Sequence, residues 1–428
     1  PGLPLVSAAL VLRAGQAANS ADRPGLASFT AAMLQEGTKT RSSQQIADQI
    51  ASLGAVMTSS AGREDARIEL SSLKANFAPA MGLLADVSLN PVFDPAEVER
   101  QRASRLAALA QQREQPAAVA AVVANRLSYG EGHPLAASAL GDEAALKATD
   151  SAALQAFWRA HYRPDQAALV VSGDISEAEL RKLAGDLFGA WPRTAQPRPV
   201  QAQAPAMKPS AARLVLVDKP GAPQTALAIV APGPLANDPE AEAIKVMNAA
   251  MGGLFTSRIN TQLREVKGYT YGIYSSYAMG RDSGQFGIRG SVRTDVTGAA
   301  LTDLFAQVEG MRAKAMDATE LNRVRNAQML SLPGLFDTNR VVVSSYANDW
   351  TWGLPADHIV RLPAKLAAVT AASAFKAAQQ HADPAGLIVV AVGDRSKVLP
   401  QLEAFGRKPL EQRDATGALP LAVPVSAP

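Results

Sequence analysis

The sequence predicts an α+β chain made of two homologous halves, each a largely antiparallel sheet with helices packed on one side. Three observations predict it. The first is an internal repeat. AHYRPDQAALVVSGDIS, near residue 160, returns as QHADPAGLIVVAVGDRS near residue 380, so that His161 and His381, Pro164 and Pro384, and Asp174 and Asp394 each lie 220 apart. Asp94-Pro95-Ala96-Glu97 and Asp317-Ala318-Thr319-Glu320 stand 223 apart, and Tyr129-Gly130 and Trp352-Gly353 share that offset. The second is the order of patterns: consecutive strands with short turns, then grouped helices, then one closing strand, which is the arrangement of α+β units. The third is a seam, PRTAQPRPVQAQAPAMKPSA at 192–211, rich in Pro, Ala and Gln and without an apolar period, as in an exposed linker.

The elements follow in order. PLVSAALVLRA opens the first half as an apolar strand, and TALAIVAPG opens the second. A helix comes next in each, from about Gly25 and from Asp238-Pro239, the latter with Pro at the first helical position. A second short helix precedes two alternating stretches, AVMTSS and ARIELSSL in the first half, TYGIYSSYAM and GQFGIRGSV in the second. Two or three helices then run, the first opened by the Asp-x-x-Glu pattern of a capping box, in which the Asp takes an orphan N–H and the Glu reaches back to the cap. AALVVSGD and LIVVAVGD close the halves. The expected domains are 1–191, the linker 192–211, 212–408, and a loosely held tail 409–428.

Composition removes several classes of function. With no cysteine there are no disulfides, thiolate nucleophiles, Cys-ligated zinc or iron–sulfur clusters. The four histidines, 133, 161, 358 and 381, leave little for a metal site, and none is within a helical turn or two of another. His161 and His381 read as a shared structural feature before the closing strands, His133 as a turn residue, and His358 as half of a solvated pair with Asp357. Lys+Arg number 42 against 39 Asp+Glu, with no run of like charge and no basic-aromatic stripe, so no nucleic-acid partner is indicated. No apolar stretch approaches 18 residues, so no membrane span is expected. There is no GxGxxG, GxxxxGK[ST] or GxSxG motif.

GLASFTAAMLQEGT at 25–38, SLGAVMTSSAGRED at 52–65, PVFDPAEVERQRASRLAAL, and LREVKGYTYGIYS resemble, in order and spacing, the insulinase/pitrilysin family, in particular its bacterial members and the mitochondrial processing peptidase subunits. The resemblance covers nearly the whole chain, the repeat included. It implies two α+β halves per chain, and two such chains enclosing a chamber. Catalytic members carry an inverted zinc motif, HxxEH, on the first helix: two histidines four apart share a helical face, and the Glu between them activates water. A further Glu roughly 75 residues on completes the ligand set. On this chain the first His falls at Ser28, the Glu at Ala31, the second His at Ala32 and the distant Glu at Ala108. None of these can supply that coordination. The expectation is a chain without metal or cofactor of its own. Ser28 as a nucleophile would lack a base in sequence reach.

The same resemblance implies that an Arg and a Tyr seven residues apart, from a C-terminal half, assist catalysis across the chamber; they match Arg264 and Tyr271. The local pattern fits: Arg264 late on a helix, Lys267-Gly268 ending it, Tyr271 on the following strand. A guanidinium fork offers paired donors to backbone carbonyls, and a phenol donor on developing oxyanion charge is worth about 3–4 kcal/mol in well-studied cases. Taken without the resemblance, Arg264 reads as a surface charge beside Glu265 and Tyr271 as a half-buried strand aromatic. Gly252-Gly253 fall where the non-catalytic processing-peptidase subunit has a longer glycine-rich substrate loop; a tight turn or close helix–sheet approach explains them equally. Tyr269, Tyr274 and Tyr277 read mostly as strand packing.

The expectation is therefore a non-catalytic, substrate-binding subunit of a heterodimeric zinc metallopeptidase. Its partner is a homologous HxxEH-bearing chain that holds the zinc, and its substrate is a peptide. Arg264, Tyr271, Gly252 and Gly253 face that substrate. The alternative is a structural or assembly core subunit. A start at Pro1, almost on the first strand, reads as missing N-terminal residues or a removed leader, and absent Cys fits a periplasmic or secreted bacterial setting, with the cytoplasm as the alternative.

Overall fold

The structure, a computed structural model, describes residues 4–193, 197 and 213–419. The linker expected at 192–211 falls, apart from Pro192, Arg193 and Pro197, outside the described residues, as does the tail beyond 419. The elements run β1 (Leu5–Leu12), α1 (Leu26–Met33), α2 (Ser43–Ser52), β2 (Val56–Ala61), β3 (Ala66–Leu73), α3 (Lys74–Leu89), α4 (Pro95–Glu114), α5 (Pro116–Tyr129), α6 (Glu143–Ala148), α7 (Ser151–His161), β4 (Ala167–Gly173) and α8 (Glu177–Phe188). They continue with β5 (Arg213–Asp218), β6 (Gln224–Pro232), α9 (Ala241–Asn248), α10 (Arg258–Asn260), β7 (Ile273–Met279), β8 (Gly284–Arg293), α11 (Thr297–Ala313), α12 (Ala318–Ser331), α13 (Asn339–Trp352), α14 (His358–Ala367), α15 (Ala371–His381), β9 (Ile388–Gly393), α16 (Arg395–Phe405) and β10 (Leu410–Arg413).

The duplication is visible in the sheets. The first has the order β2-β3-β1-β4, antiparallel throughout. The second is β10-β5-β9-β6-β8-β7, and its β7-β8-β6-β9 portion repeats the first sheet strand for strand. β5 and β10 extend it by parallel pairing next to β9. β10 is the start of the stretch expected to be a loose tail. Its Leu410–Arg413 backbone pairs with Leu214–Val217, and Glu411 accepts hydrogen bonds from Arg213 Nε (2.8 Å) and Arg413 Nη2 (2.7 Å). His161 and His381 are both the last residues of equivalent helices. Asp94 and Asp317 cap α4 and α12 as expected, accepting from Ala96 N and Glu320 N at 2.8 Å. The reciprocal half of each box is not made: Glu97 pairs with Arg100 and Glu320 with Arg258.

The chain forms two compact units, described separately. Unit 1 comprises residues 1–109, 132–203 and 331–360; unit 2 comprises 110–131, 204–330 and 361–428. The two sequence halves thus exchange one helix each. α5, from the first half, packs on the β5-β9-β6 face, with Val119, Ala120, Val123 and Ala124 against Val215, Val217, Ala226, Ala228, Val230, Ile388, Val390 and Val392. α13, from the second half, packs on β1 and β4, with Val343 and Ala347 against Ala9 and Val11. Both helices are equivalents in the repeat, and the Tyr129-Gly130 and Trp352-Gly353 pairs are their C-terminal ends, each glycine at positive φ.

The exchange explains the strand patterns. β1, β6 and β9 are apolar without alternation because both faces are covered: one by the exchanged helix, the other by the core of the strand's own unit, which for β1 is built with α1, α3 and α7. β3, which α13 does not cover fully, keeps a strict alternation of buried and half-buried residues. Val119 and Val123, spaced one turn apart, are each worth roughly 1.5–3 kcal/mol of burial. Polar clips add to α13: Asn339 Nδ2 donates to Leu5 O (2.8 Å), Arg67 Nη2 to Asn348 Oδ1 (2.6 Å) and Thr351 Oγ1 to Asp65 Oδ2 (2.9 Å), while Arg13 lies over the Trp350 ring at 4.6 Å. His358 belongs to this region. Rather than forming a solvated pair with Asp357, its ring is nearly buried, with Nδ1 3.0 Å from the Asp349 carboxylate.

Two outcomes follow. Ala120→Asp puts an unpaired charge under the second sheet and should cost about 3–5 kcal/mol; hydrogen exchange should show the lost protection in β6 and β9 rather than in β1. His161 is half-buried against Phe157, with ring centroids 4.3 Å apart, and desolvation together with Arg163 pulls its pKa from 6.5 down to about 4. The fold holds the neutral ring. This contribution is therefore complete above pH 6.5 and is lost as pH falls from there toward 4, about 2–3 kcal/mol in all. Urea midpoints measured across that range should fall for the parent and be flatter for His161→Gln.

Candidate functional site

The expected substrate-facing residues occupy one stretch of unit 2, between the end of α9 and the start of β7. α9 runs directly into a π-helical turn, Ala249–Gly253, and α10 runs into a second, Thr261–Val266. Such wide turns are rare and concentrate at functional sites. Gly252 and Gly253 lie in the first. A Cβ at Gly252 would come 2.5 Å from Ser275 Oγ, and one at Gly253 would come 2.7 Å from Asn248 Nδ2. Close helix–sheet approach is therefore the reason for Gly252, whereas Gly253 is crowded by Asn248 of its own helical segment.

Two asparagines that the sequence reading did not single out hold the turns against β7. Asn248 Oδ1 accepts from Ser275 Oγ (2.6 Å), and its Nδ2 donates to Ser275 O (3.1 Å). Asn260 Oδ1 accepts from Ile273 N (3.0 Å), and its Nδ2 donates to Leu254 O (3.4 Å). The loop between the turns is held from α12. Arg258 makes a two-pronged bond to Glu320 (2.8 and 2.5 Å), and Arg323 donates to Thr256 Oγ1 (2.7 Å). The available signal was two amides at a twelve-residue spacing, each preceded by an apolar residue.

Arg264 sits in the second π turn. Its guanidinium stacks on Phe255 at 4.3 Å, and Phe255 is itself about half exposed. Nη1 lies 3.1 Å from Glu265 Oε1 but out of line for a hydrogen bond, so this buried donor is unused among the described residues. Gly268, φ +63°, ends the helix as expected, its N–H bonding Arg264 O at 3.1 Å. Tyr271 is not on the strand: it occupies a bend two residues before β7. Thr270 makes that bend, with Oγ1 donating to Ser291 O (2.6 Å) and accepting from Gly272 N (3.0 Å). Tyr271 is 88% exposed, so the half-buried strand aromatic is not what the structure contains. Tyr277 does pack, with its hydroxyl donating to His381 O at 2.8 Å; burial raises its pKa far above the usual phenol value. Tyr274 is 43% exposed.

Ser28, Ala31, Ala32 and Ala108 lie in unit 1, the first three on α1 and the last on α4. Zinc does not fit these residues. None carries an imidazole or carboxylate, and the described residues contain no cluster of three or more His, Cys, Asp or Glu that could hold a metal. Ala31 is fully buried, its carbonyl accepting from Ser59 Oγ at 2.6 Å. Arg105, on α4 one turn before Ala108, turns its guanidinium to α1 instead. Nη2 donates to Ser28 Oγ, Nη1 lies 3.5 Å from Ser28 O, and the group covers the Phe29 ring at 4.9 Å. Burial lowers its pKa to about 10, which leaves it a cation at neutral pH. The Ser28 hydroxyl also donates toward Ala139 O and Gly25 O. With its proton on a carbonyl and a cation on its lone pair, it has no route to nucleophilic activation.

Residues 2–142 match the family profile described as Insulinase (Peptidase family M16), and residues 150–328 match the one described as Peptidase M16 inactive domain. An uncharacterized zinc protease of Mycobacterium tuberculosis is 26% identical over 305 residues, covering 71% of this chain and 67% of the relative. An uncharacterized zinc protease of Bacillus subtilis is 22% identical over 313 residues, 72% and 74% of the two chains. A probable mitochondrial-processing peptidase subunit beta of Schizosaccharomyces pombe is 29% identical over 178 residues, 41% of this chain and 38% of that one. Among solved structures, the peptidase M16 inactive domain from Pseudomonas fluorescens superposes with a TM-score of 0.85 at 24% identity, over 92% of this chain and 93% of that one. A protease from Helicobacter pylori gives 0.85 at 14% identity, over 91% and 94%. These two speak for the fold. With both halves of its sequence matched to profiles of one family, the chain belongs to the M16, or insulinase, family of peptidases.

Proposed function

We propose that this chain is a non-catalytic subunit of an M16 metallopeptidase and that it binds substrate for a homologous, HxxEH-bearing partner that holds the zinc. The observation that carries the reading is the contrast between the two sites. At the metal-ligand positions the donors are gone and a guanidinium fills the place. At the Arg264/Tyr271 corner, an Arg laid over the ring of Phe255 and a Tyr at 88% exposure stand on a stretch held by two π turns and two asparagines. The match to a profile named for an inactive M16 domain, and the likeness to relatives named zinc proteases, support the same reading.

In this reading Arg264 donates to backbone carbonyls of an extended peptide and Tyr271 donates to the oxygen on which charge develops. Phe255 keeps the guanidinium flat. Gly252 lets the first π turn lie on β7, Gly253 leaves room for the Asn248 amide that ties the turn to that strand, and together they set the floor beside the peptide. No step of the chemistry passes through a metal on this chain. A periplasmic or secreted setting is proposed from the absence of cysteine alone.

The purified chain should carry no stoichiometric zinc and cleave no peptide; one tightly held zinc per chain would end the reading. Combined with its HxxEH-bearing partner, activity should appear. Tyr271→Phe or Arg264→Ala should then lower kcat/KM by about a hundredfold or more, with co-purification of the two chains unchanged. If turnover is indifferent to both substitutions while the complex still forms, the chain is a structural or assembly subunit instead.

A further inference from the structure

We infer that Arg105 has taken over the metal's place in unit 1: it is a fixed cation that cross-links α1 to α4 and closes the vestigial site to zinc. The inference rests on the reading that Ser28 and Ala108 stand at metal-ligand positions, and not on any role of Arg264 or Tyr271. In a metal site of this design, ligands from the first helix and from a helix roughly 75 residues later meet on one ion. Here the same two helices meet on one guanidinium. Arg105 is one turn before Ala108, so it shares that position's face of α4. Its Nη2 and Nη1 both reach Ser28, on α1, and its plane lies over Phe29 beside it. The side chain is 8% exposed, and among the described residues no carboxylate pairs with it.

A buried cation without a counter-ion is costly and persists where its donors and its flat faces are used. Three contacts to α1 supply that use for Nη1, Nη2 and one flat face, and Nε alone is left without a partner among the described residues. Ser28 passes the linkage on, its hydroxyl reaching Ala139 O in the segment that follows α5. A dication at the same place would face the guanidinium directly, and like charges in a poorly solvated site repel strongly. Absence of the ligands and presence of the Arg are thus separate features with separate consequences. The first removes affinity for zinc, and the second prevents its return.

Two measurements on the full chain test this. In the first, Ser28→His, Ala32→His and Ala108→Glu are introduced together, with and without Arg105→Leu, and zinc alone is titrated against a competing chelator. The version that keeps Arg105 should take up no stoichiometric zinc, and the version without it should bind one zinc, about a hundredfold or more tighter. Equal affinity in both overturns the exclusion. Stoichiometric zinc on the unaltered chain would instead sink the proposed function. In the second, which stands even if the multiple variants fail to fold, hydrogen exchange is followed in Arg105→Gln. Amides of Leu26–Met33 should exchange about tenfold faster than in the parent, with the parent's exchange unaffected by chelator; an unchanged α1 overturns the cross-link.

Discussion

The packing of α5 and α13 is the constraint on which the remaining structure depends. Each sheet needs a helix on its second face, and in each unit that helix comes from the other half of the sequence. Without it, β1 and β4 would expose Ala9, Val11 and Val170, and β6 and β9 would expose a row of valines and Ile388. Exposed apolar strips of that kind are aggregation sites. The near-continuous apolar character of β1, β6 and β9 is therefore a property of the exchange. The larger cores on the opposite faces position the functional stretches: α1 lies over β2 and β3, and the π turns lie over β7.

Against that frame, the two site regions show how differently one fold treats its chemistry. In unit 1 the fold is kept and the chemistry is replaced. Alanines at 31, 32 and 108 fill space, and Ser28 is saturated by Arg105 and carbonyls. The guanidinium remains charged despite burial because its pKa, lowered to about 10, still lies well above neutrality. In unit 2 the unusual geometry is kept. Departures from regular helix persist only where surrounding contacts over-determine them. Here the determinants are specific: two asparagine side chains, two glycines that admit close approach, and the Arg258–Glu320 pair.

Much of the fold was legible in the sequence. The duplication, the strands and their order along the chain, the helix end at Gly268, and the Asp caps all express local chemistry, and local chemistry is what a sequence displays. What was not legible depends on residues far apart in the chain. Nothing in PAAVAAVVANRLSY says which sheet it covers, because its apolar face would suit either. The pairing of Leu410–Arg413 with β5 is likewise settled by Leu214–Val217, about two hundred residues away. The π turns escaped because their sequences read as ordinary helix, and the contacts of Asn248 and Asn260 with β7 that accompany them join residues well apart in the chain. Arg105 escaped because a helical arginine normally reads as solvated, and only the position of Ser28 shows where it turns.

The contrast between the sites bears on what kind of protein this is. A chain drifting without function would be expected to lose its least favourable features first, since most substitutions that relax strain are tolerated. An exposed Tyr at 88% and a half-exposed Phe under an Arg are such features: neither contributes to the core, and each could be replaced at little cost to stability. Their presence together, within one stretch of about twenty residues, points to selection for what they present rather than for what they hold up. The unit 1 site points the other way, since Arg105 and Ser28 hold helices and present nothing. The proposed peptide contacts in unit 2 and the donor-free metal-ligand positions in unit 1 fit the proposed division, in which this chain contributes substrate contacts while another chain does the hydrolysis.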